Sequence, residues 1–141
     1  MSVEALEPGR GRRTRISFDG TNFVVIGDAT PKHGGSDEGP NGFDLISAAL
    51  GHCFLITLLE CAEAQGVYLQ GVRAVVASKS RLDGLGKAPV ISELSIEVIL
   101  EGAVDSVVAD GLLAYAEQLC GVHATLLQMP RIDATVRLMA R

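Results

Sequence analysis

The chain contains no tryptophan, and aromatic residues make up only 4% of it. It therefore offers little stacking surface for bases or sugar rings. Positive charge is in deficit: 12 Lys and Arg stand against 17 Asp and Glu, for a net charge of −5. That excludes the basic footprint of a nucleic-acid-binding protein. No apolar run reaches membrane-spanning length. The longest uncharged stretch, Leu45 to Leu59, includes Ser47, His52 and Thr57 and falls short of the roughly 20 residues that a span needs. Residues 1–15 are polar and rich in Gly and Arg, so no signal peptide is expected. Cysteine is scarce, with three residues at irregular spacing, which is not a secreted disulfide framework. A reducing, cytoplasmic setting follows, in which the thiols are either core residues or chemically used. P-loop, G-x-G-x-x-G, G-x-S-x-G and H-E-x-x-H patterns are all missing, and with them the nucleotide and hydrolase chemistries that they carry.

What is present is apolar. Hydrophobic residues form 48% of the 141 positions, and mean hydropathy is +0.30. Disorder is excluded, and one domain spanning 1–141 is expected. A chain this long buries roughly two thirds of its unfolded surface, enough for a core without staples.

Arg12 to Phe18 reads as a strand, Asp19-Gly20 as a hairpin turn, and Phe23 to Ile26 as the return strand. Asp28 to Pro40 is a Gly- and Pro-containing loop that carries Asp28, Asp37 and Glu38. Asn41 and Asp44 have the spacing of an N-cap and its capping-box acid. The helix they open runs to about Gln65, where Gly66 stops it. Phe43, Leu45, Ile46, Leu50, Phe54, Leu55, Ile56, Leu58 and Leu59 cover almost its whole circumference. A helix apolar all round must be covered all round, so a second subunit is expected on the side that one sheet leaves open. Two long strands follow, Gly71 to Leu82 and Val90 to Glu101, with Gly84 and Gly86 at the turn. Helices are expected over Ala103 to Leu119, capped by Asp105, and over Gly121 to Gln128. Pro130 breaks the chain, and Ile132, Ala134, Val136 and Leu138 alternate as a closing strand. The order β-β-α-β-β-α-α-β groups strands in hairpins, which predicts an α+β fold with mostly antiparallel sheet around a long buried helix.

Cys53 falls in the middle of the apolar helix. Free cysteine is among the most buried residue types, and mid-helix placement gives a thiolate no help from a helix start, so activation would need a cation. Cys120 lies at the junction of two helices, where backbone N–H groups can favour its thiolate. Cys61, on the same helix as Cys53, is about 12 Å along from it, beyond the ~7 Å Cα reach of a disulfide, and reads as core filler. Two chemistries fit: a redox pair of Cys53 and Cys120, or a metal site from those two with His123 and His52. Adjacent His52 and Cys53 point about 100° apart on a helix, so no metal site is expected.

The segment Gly39-Pro40-Asn41-Gly42-Phe43-Asp44-Leu45-Ile46-Ser47-Ala48-Ala49-Leu50-Gly51-His52-Cys53 resembles the first-cysteine region of the OsmC/Ohr family of small bacterial thiol peroxidases. Ala116-Glu117-Gln118-Leu119-Cys120-Gly121-Val122-His123 resembles its second-cysteine segment. The likeness covers nearly the whole chain. It implies an OsmC-like fold in an intertwined homodimer, with Cys53 as the peroxidatic and Cys120 as the resolving cysteine. It further implies a small organic hydroperoxide as substrate, a sulfenic acid and disulfide cycle, no bound cofactor, and an external dithiol or reduced lipoyl group as reductant. Nucleic acid and membrane are not expected partners. Peroxidases of the family carry a Glu ten residues before the cysteine, where this chain has Phe43. Asp44, one residue on, is about 14 Å along the helix from Cys53 and on its opposite face, so it would contribute only from a partner subunit. The family also uses an Arg from the N-terminal strands, for which Arg13 and Arg15 are the candidates, Arg15 being preferred. The alternative reading is a non-catalytic dimeric module that binds a lipid-like small molecule on the same scaffold.

Overall fold

A computed structural model describes residues 1–6, 11–128 and 130–137. In chain order it contains β1 (Ser2–Ala5), β2 (Thr14–Ser17), β3 (Val24–Gly27), a short 3-10 turn (Pro31–His33), α1 (Gly42–Ala64), β4 (Gly71–Leu82), β5 (Pro89–Glu101), α2 (Ser106–Leu119) and α3 (Gly121–Leu127). The expected α+β class with antiparallel sheet is what the chain adopts. Two compact units are present: residues 1–51 with 74–97, and residues 52–73 with 98–141.

In the first unit, β1, β2 and β3 form an antiparallel sheet in that order. Ser2 pairs with Ser17, and Thr14 with Gly27. The expected turn at Asp19-Gly20 is present, with Gly20 at φ 74° and the Thr21 N–H and hydroxyl both donating to the Phe18 carbonyl. Strand β1 had no signal in the sequence. All four of its side chains are exposed, so no apolar alternation marks it, and only the ladder with β2 defines it.

The 28–40 loop is built around one buried carboxylate. Asp28 accepts the N–H groups of Ala29 (2.8 Å), Ser36 (2.9 Å) and Glu38 (3.2 Å). Its own N–H donates to the Pro40 carbonyl at 3.2 Å and closes the loop. Arg13 reaches Glu38 at 3.0 Å. Glycine is required at 35, where a Cβ would overlap the Ala29 backbone. Burial opposes the Asp28 charge, but the three amides and the Arg13 charge outweigh it and hold the carboxyl below its ordinary value.

Helix α1 begins and ends as its sequence dictates. Asn41 Oδ1 accepts the N–H groups of Phe43 and Asp44, and Asp44 Oδ2 accepts the Asn41 N–H at 2.9 Å, a complete capping box. At the other end Gly66 takes φ 67°. Its N–H donates to the Glu63 carbonyl, and that of Val67 to Ala62, a Schellman stop. Phe54, Leu58, Cys61 and Ala62 form a buried stripe, while Ile56 and Leu59 remain 45% and 39% exposed. A single chain therefore covers one face of a helix that is apolar on both.

Strands β4 and β5 form a two-stranded sheet with the expected alternation: Leu94, Ile96 and Val98 are half-buried and Ser95 and Glu97 exposed. The closing strand differs from expectation. Residues 131–137 carry no helix or strand, and Ile132 and Val136 are 86% and 87% exposed. Alternation specifies a strand only where an edge is available to pair with it, and among the described residues no strand pairs with this segment. Leu138 lies outside the described residues.

The Asp28 centre sets a pH-dependent stability. A carboxyl held below its ordinary value of about 3.9 stabilises the fold fully above that value and loses the contribution as pH falls through the folded value. Asp28→Asn is expected to lower the thermal midpoint by several degrees at pH 7 and to flatten the acid limb of midpoint against pH. Limited proteolysis should then cut within residues 29–39, where the wild-type loop resists.

Candidate functional site

Within the second unit, the end of α2 folds back toward Cys53. Cys120 breaks the helix by taking φ −66°, ψ 112°, an extended conformation. It belongs to both helices at once. Its N–H donates to the Ala116 carbonyl at 3.0 Å and closes α2, while its carbonyl accepts the Ala124 N–H at 3.0 Å and opens α3. Its sulfur accepts the His123 N–H at 3.4 Å, the contact of an N-cap side chain. Leu112, Ala116 and Cys120 are all fully buried.

This corner delivers its amides to Cys53. The Val122 N–H donates to the Cys53 sulfur and is the strongest influence on it. Burial opposes, and the Cys120 thiol, the Gly121 N–H and the Thr57 hydroxyl add to the stabilisation. The sum holds the Cys53 thiol below its ordinary value. The Thr57 hydroxyl, one helical turn on, donates to the Cys53 carbonyl at 2.9 Å. Cys120 moves the other way. Burial pushes its thiol up, the His123 N–H draws it down, and the neighbouring Cys53, by hydrogen bond and by charge, pushes it up again. Of the two thiols, Cys53 is therefore the readier to lose its proton and Cys120 the readier to keep its own.

The sequence expectation that Cys53 needs a cation is replaced by a different solution. A mid-helix cysteine does receive help from a helix start, but from α3 rather than from its own helix. The amides near Cys120 were expected to serve Cys120. That of His123 does so, that of Val122 acts on both sulfurs, and that of Gly121 turns to Cys53. Thr57, four residues after Cys53, is a polar group on an apolar helix and could have been singled out. The amide donors leave no mark in side-chain identity.

The other candidates lie elsewhere. Asp44 belongs to the first unit, and its carboxylate is engaged with the Asn41 N–H. Arg15 is exposed on β2, opposite Ile26 on β3. His52 is exposed. Cys61 is buried and accepts the Gln65 side-chain N–H at 3.0 Å. Among the described residues no group of three or more His, Cys, Asp or Glu could hold a metal ion.

The opposite shifts of the two thiols give a direct expectation. As pH rises, Cys53 should become alkylable by iodoacetamide below the ordinary thiol midpoint of about 8.5, and Cys120 above it. At pH 7, peptide mapping of the native reduced protein should show Cys53 modified at least several-fold faster. Cys120→Ala removes a donor and should move the Cys53 profile to higher pH, as should Thr57→Val.

Residues 34–135 match the family model described as OsmC-like protein. No curated protein matches the chain. Several solved structures share the fold. A Psychrobacter arcticus protein assigned to the osmotic stress induced and detoxification response aligns with TM-score 0.75 and 21% identity, over 89% of this chain and 87% of the other. An organic hydroperoxide resistance protein OsmC from Legionella pneumophila gives TM-score 0.71 and 16% identity, over 90% and 87%. An organic hydroperoxide resistance protein from Elizabethkingia anophelis gives 0.69 and 18%, over 88% and 84%. With the family model spanning most of its length, the chain belongs to the OsmC-like protein family.

Proposed function

We propose that the protein is a thiol peroxidase that reduces organic hydroperoxides with Cys53 and Cys120. What supports this is that the two cysteines are neighbours and shift oppositely, the Cys53 thiol held below its ordinary value and the Cys120 thiol pushed above it. A nucleophile and its resolving thiol require that division of roles. The Cys53 thiolate attacks the distal oxygen of the hydroperoxide and breaks the O–O bond. Cys53 becomes a sulfenic acid, and the departing alkoxide takes up a proton to leave as alcohol. The Cys120 sulfur then bonds to the Cys53 sulfur. The sulfenic hydroxyl leaves with the Cys120 proton as water, so the peroxide has been reduced and the two thiols oxidised. A dithiol or a reduced lipoyl group restores them by exchange. The relatives named for organic hydroperoxide resistance support the same reading.

We also propose a homodimer. Ile56 and Leu59 are still 45% and 39% exposed, and each stands to gain roughly 1 kcal/mol if a second copy covers the remainder. Light scattering is expected to give twice the 14.8 kDa chain mass, and a monomeric mass would overturn the dimer.

The catalytic test uses reduced protein and about one equivalent of cumene hydroperoxide. Mass spectrometry should find a Cys53–Cys120 disulfide within the mixing time of a manual experiment. Cys120→Ser should stop at sulfenic acid on Cys53, trapped by dimedone, and Cys53→Ser should abolish peroxide consumption. Thiols that stay reduced would overturn the peroxidase and leave the binding module as the reading.

A further inference from the structure

The corner at Cys120 leaves a backbone debt that one side chain settles. In an unbroken α2 the Gly121 N–H would donate to the Glu117 carbonyl, four residues back. The extended Cys120 carries Gly121 away. The Glu117 carbonyl is thereby left among the unsatisfied acceptors of a helix C-terminus, and the Gly121 amide is released toward Cys53. His123 fills the vacated position. Its Nδ1 lies 2.8 Å from the Glu117 carbonyl oxygen. That oxygen can only accept, so Nδ1 carries the hydrogen and donates it. The backbone N–H of the same residue donates to the Cys120 sulfur. The imidazole ring meets Phe54, the α1 neighbour of Cys53, edge-on at 6.2 Å and 83°. One residue thus ties together the end of α2, the resolving sulfur and the helix that carries the nucleophile.

We infer that His123 is a positioning residue: its Nδ1–H replaces the helical bond that Gly121 gives up, and so holds the corner that aims the Gly121 and Val122 amides and the Cys120 thiol at Cys53. The inference deepens the two-cysteine reading above and rests on it for its catalytic consequence. Without the imidazole donor, α2 can recapture the Gly121 amide by extending through Cys120. Cys53 then loses part of its amide support, and Cys120 no longer stands where the sulfenic acid forms. Chemically this means a slower attack on peroxide and a slower closure of the disulfide. Under excess hydroperoxide a second peroxide molecule then oxidises the waiting sulfenic acid to sulfinic acid.

The test compares His123→Asn with His123→Leu. The two replacements have nearly the same shape. Asn places an N–H close to where Nδ1 stands, whereas Leu supplies only packing against Phe54. The first readout is the pH profile of Cys53 alkylation in the reduced protein, which needs no peroxide. The second is the ratio of Cys53 sulfinic acid to Cys53–Cys120 disulfide after a tenfold excess of cumene hydroperoxide. The Leu variant is expected to shift the alkylation profile to higher pH and to raise the sulfinic share at least several-fold. The Asn variant should stay within about twofold of wild type in both. Circular dichroism and thermal midpoints of the two variants check that the comparison is between folded proteins. Equal behaviour of Asn and Leu, whether both unchanged or both impaired, overturns the inference, because the donor would then not be what matters. A wild-type protein whose thiols ignore peroxide would overturn the peroxidase reading instead, while the alkylation profiles would still decide the role of His123.

Discussion

A single interruption of helical hydrogen bonding, at Cys120, is the constraint on which the site depends. Had α2 continued, the amides of Gly121 and Val122 would be spent inside the helix, and Cys53 would face a wall of satisfied backbone. The extended conformation at one residue turns two N–H groups outward without adding any charge to the interior. Backbone amides suit this purpose because they are fixed in direction and stay polar whatever the surroundings. They favour an anion where burial alone would oppose it.

The opposite shifts of the two thiols follow from the same corner. Cys120 is fully buried, and only the amides of His123 and Val122 draw its thiol down. That is too little to offset the loss of water around a charge. Cys53 is half-buried and collects donors from Val122, Gly121, Thr57 and Cys120 itself. A charge on Cys53 also raises the cost of a second charge beside it, which pushes the Cys120 thiol further up. The two-cysteine chemistry proposed above would use this asymmetry, because a thiolate attacks and a neighbouring thiol keeps its proton for the leaving group.

Elsewhere the chain uses local devices of the same kind. The buried Asp28 carboxylate gathers three amides to fold a loop with little regular structure, and Gly66 ends α1 with two backbone bonds. What one chain does not do is cover its own apolar surface. Ile56 and Leu59 on α1, and Ile132 and Val136 in the C-terminal segment, are open to solvent. Both regions are patterned as core elements, and among the described residues neither is fully covered.

Much of this was legible beforehand where the determinants are local. The Asn41 and Asp44 cap, the Gly66 stop, the Asp19-Gly20 turn and the alternation of Leu94, Ile96 and Val98 depend on residues close in sequence, and the expected elements formed. Strand β1 was not legible, because four exposed side chains carry no pattern and the strand exists through its ladder with β2. The 131–137 segment shows the converse: a pattern present without an edge to pair with. The sequence by itself determined the element types, the mid-helix position of Cys53 and the placement of Cys120 at a helix junction. Only tertiary structure decided that the amides released at that junction reach Cys53, that the two thiols shift in opposite directions, and that His123 meets the carbonyl given up by Gly121. The first outcome rests on backbone N–H groups that every residue but proline carries, and the others on side chains that only the fold brings into reach.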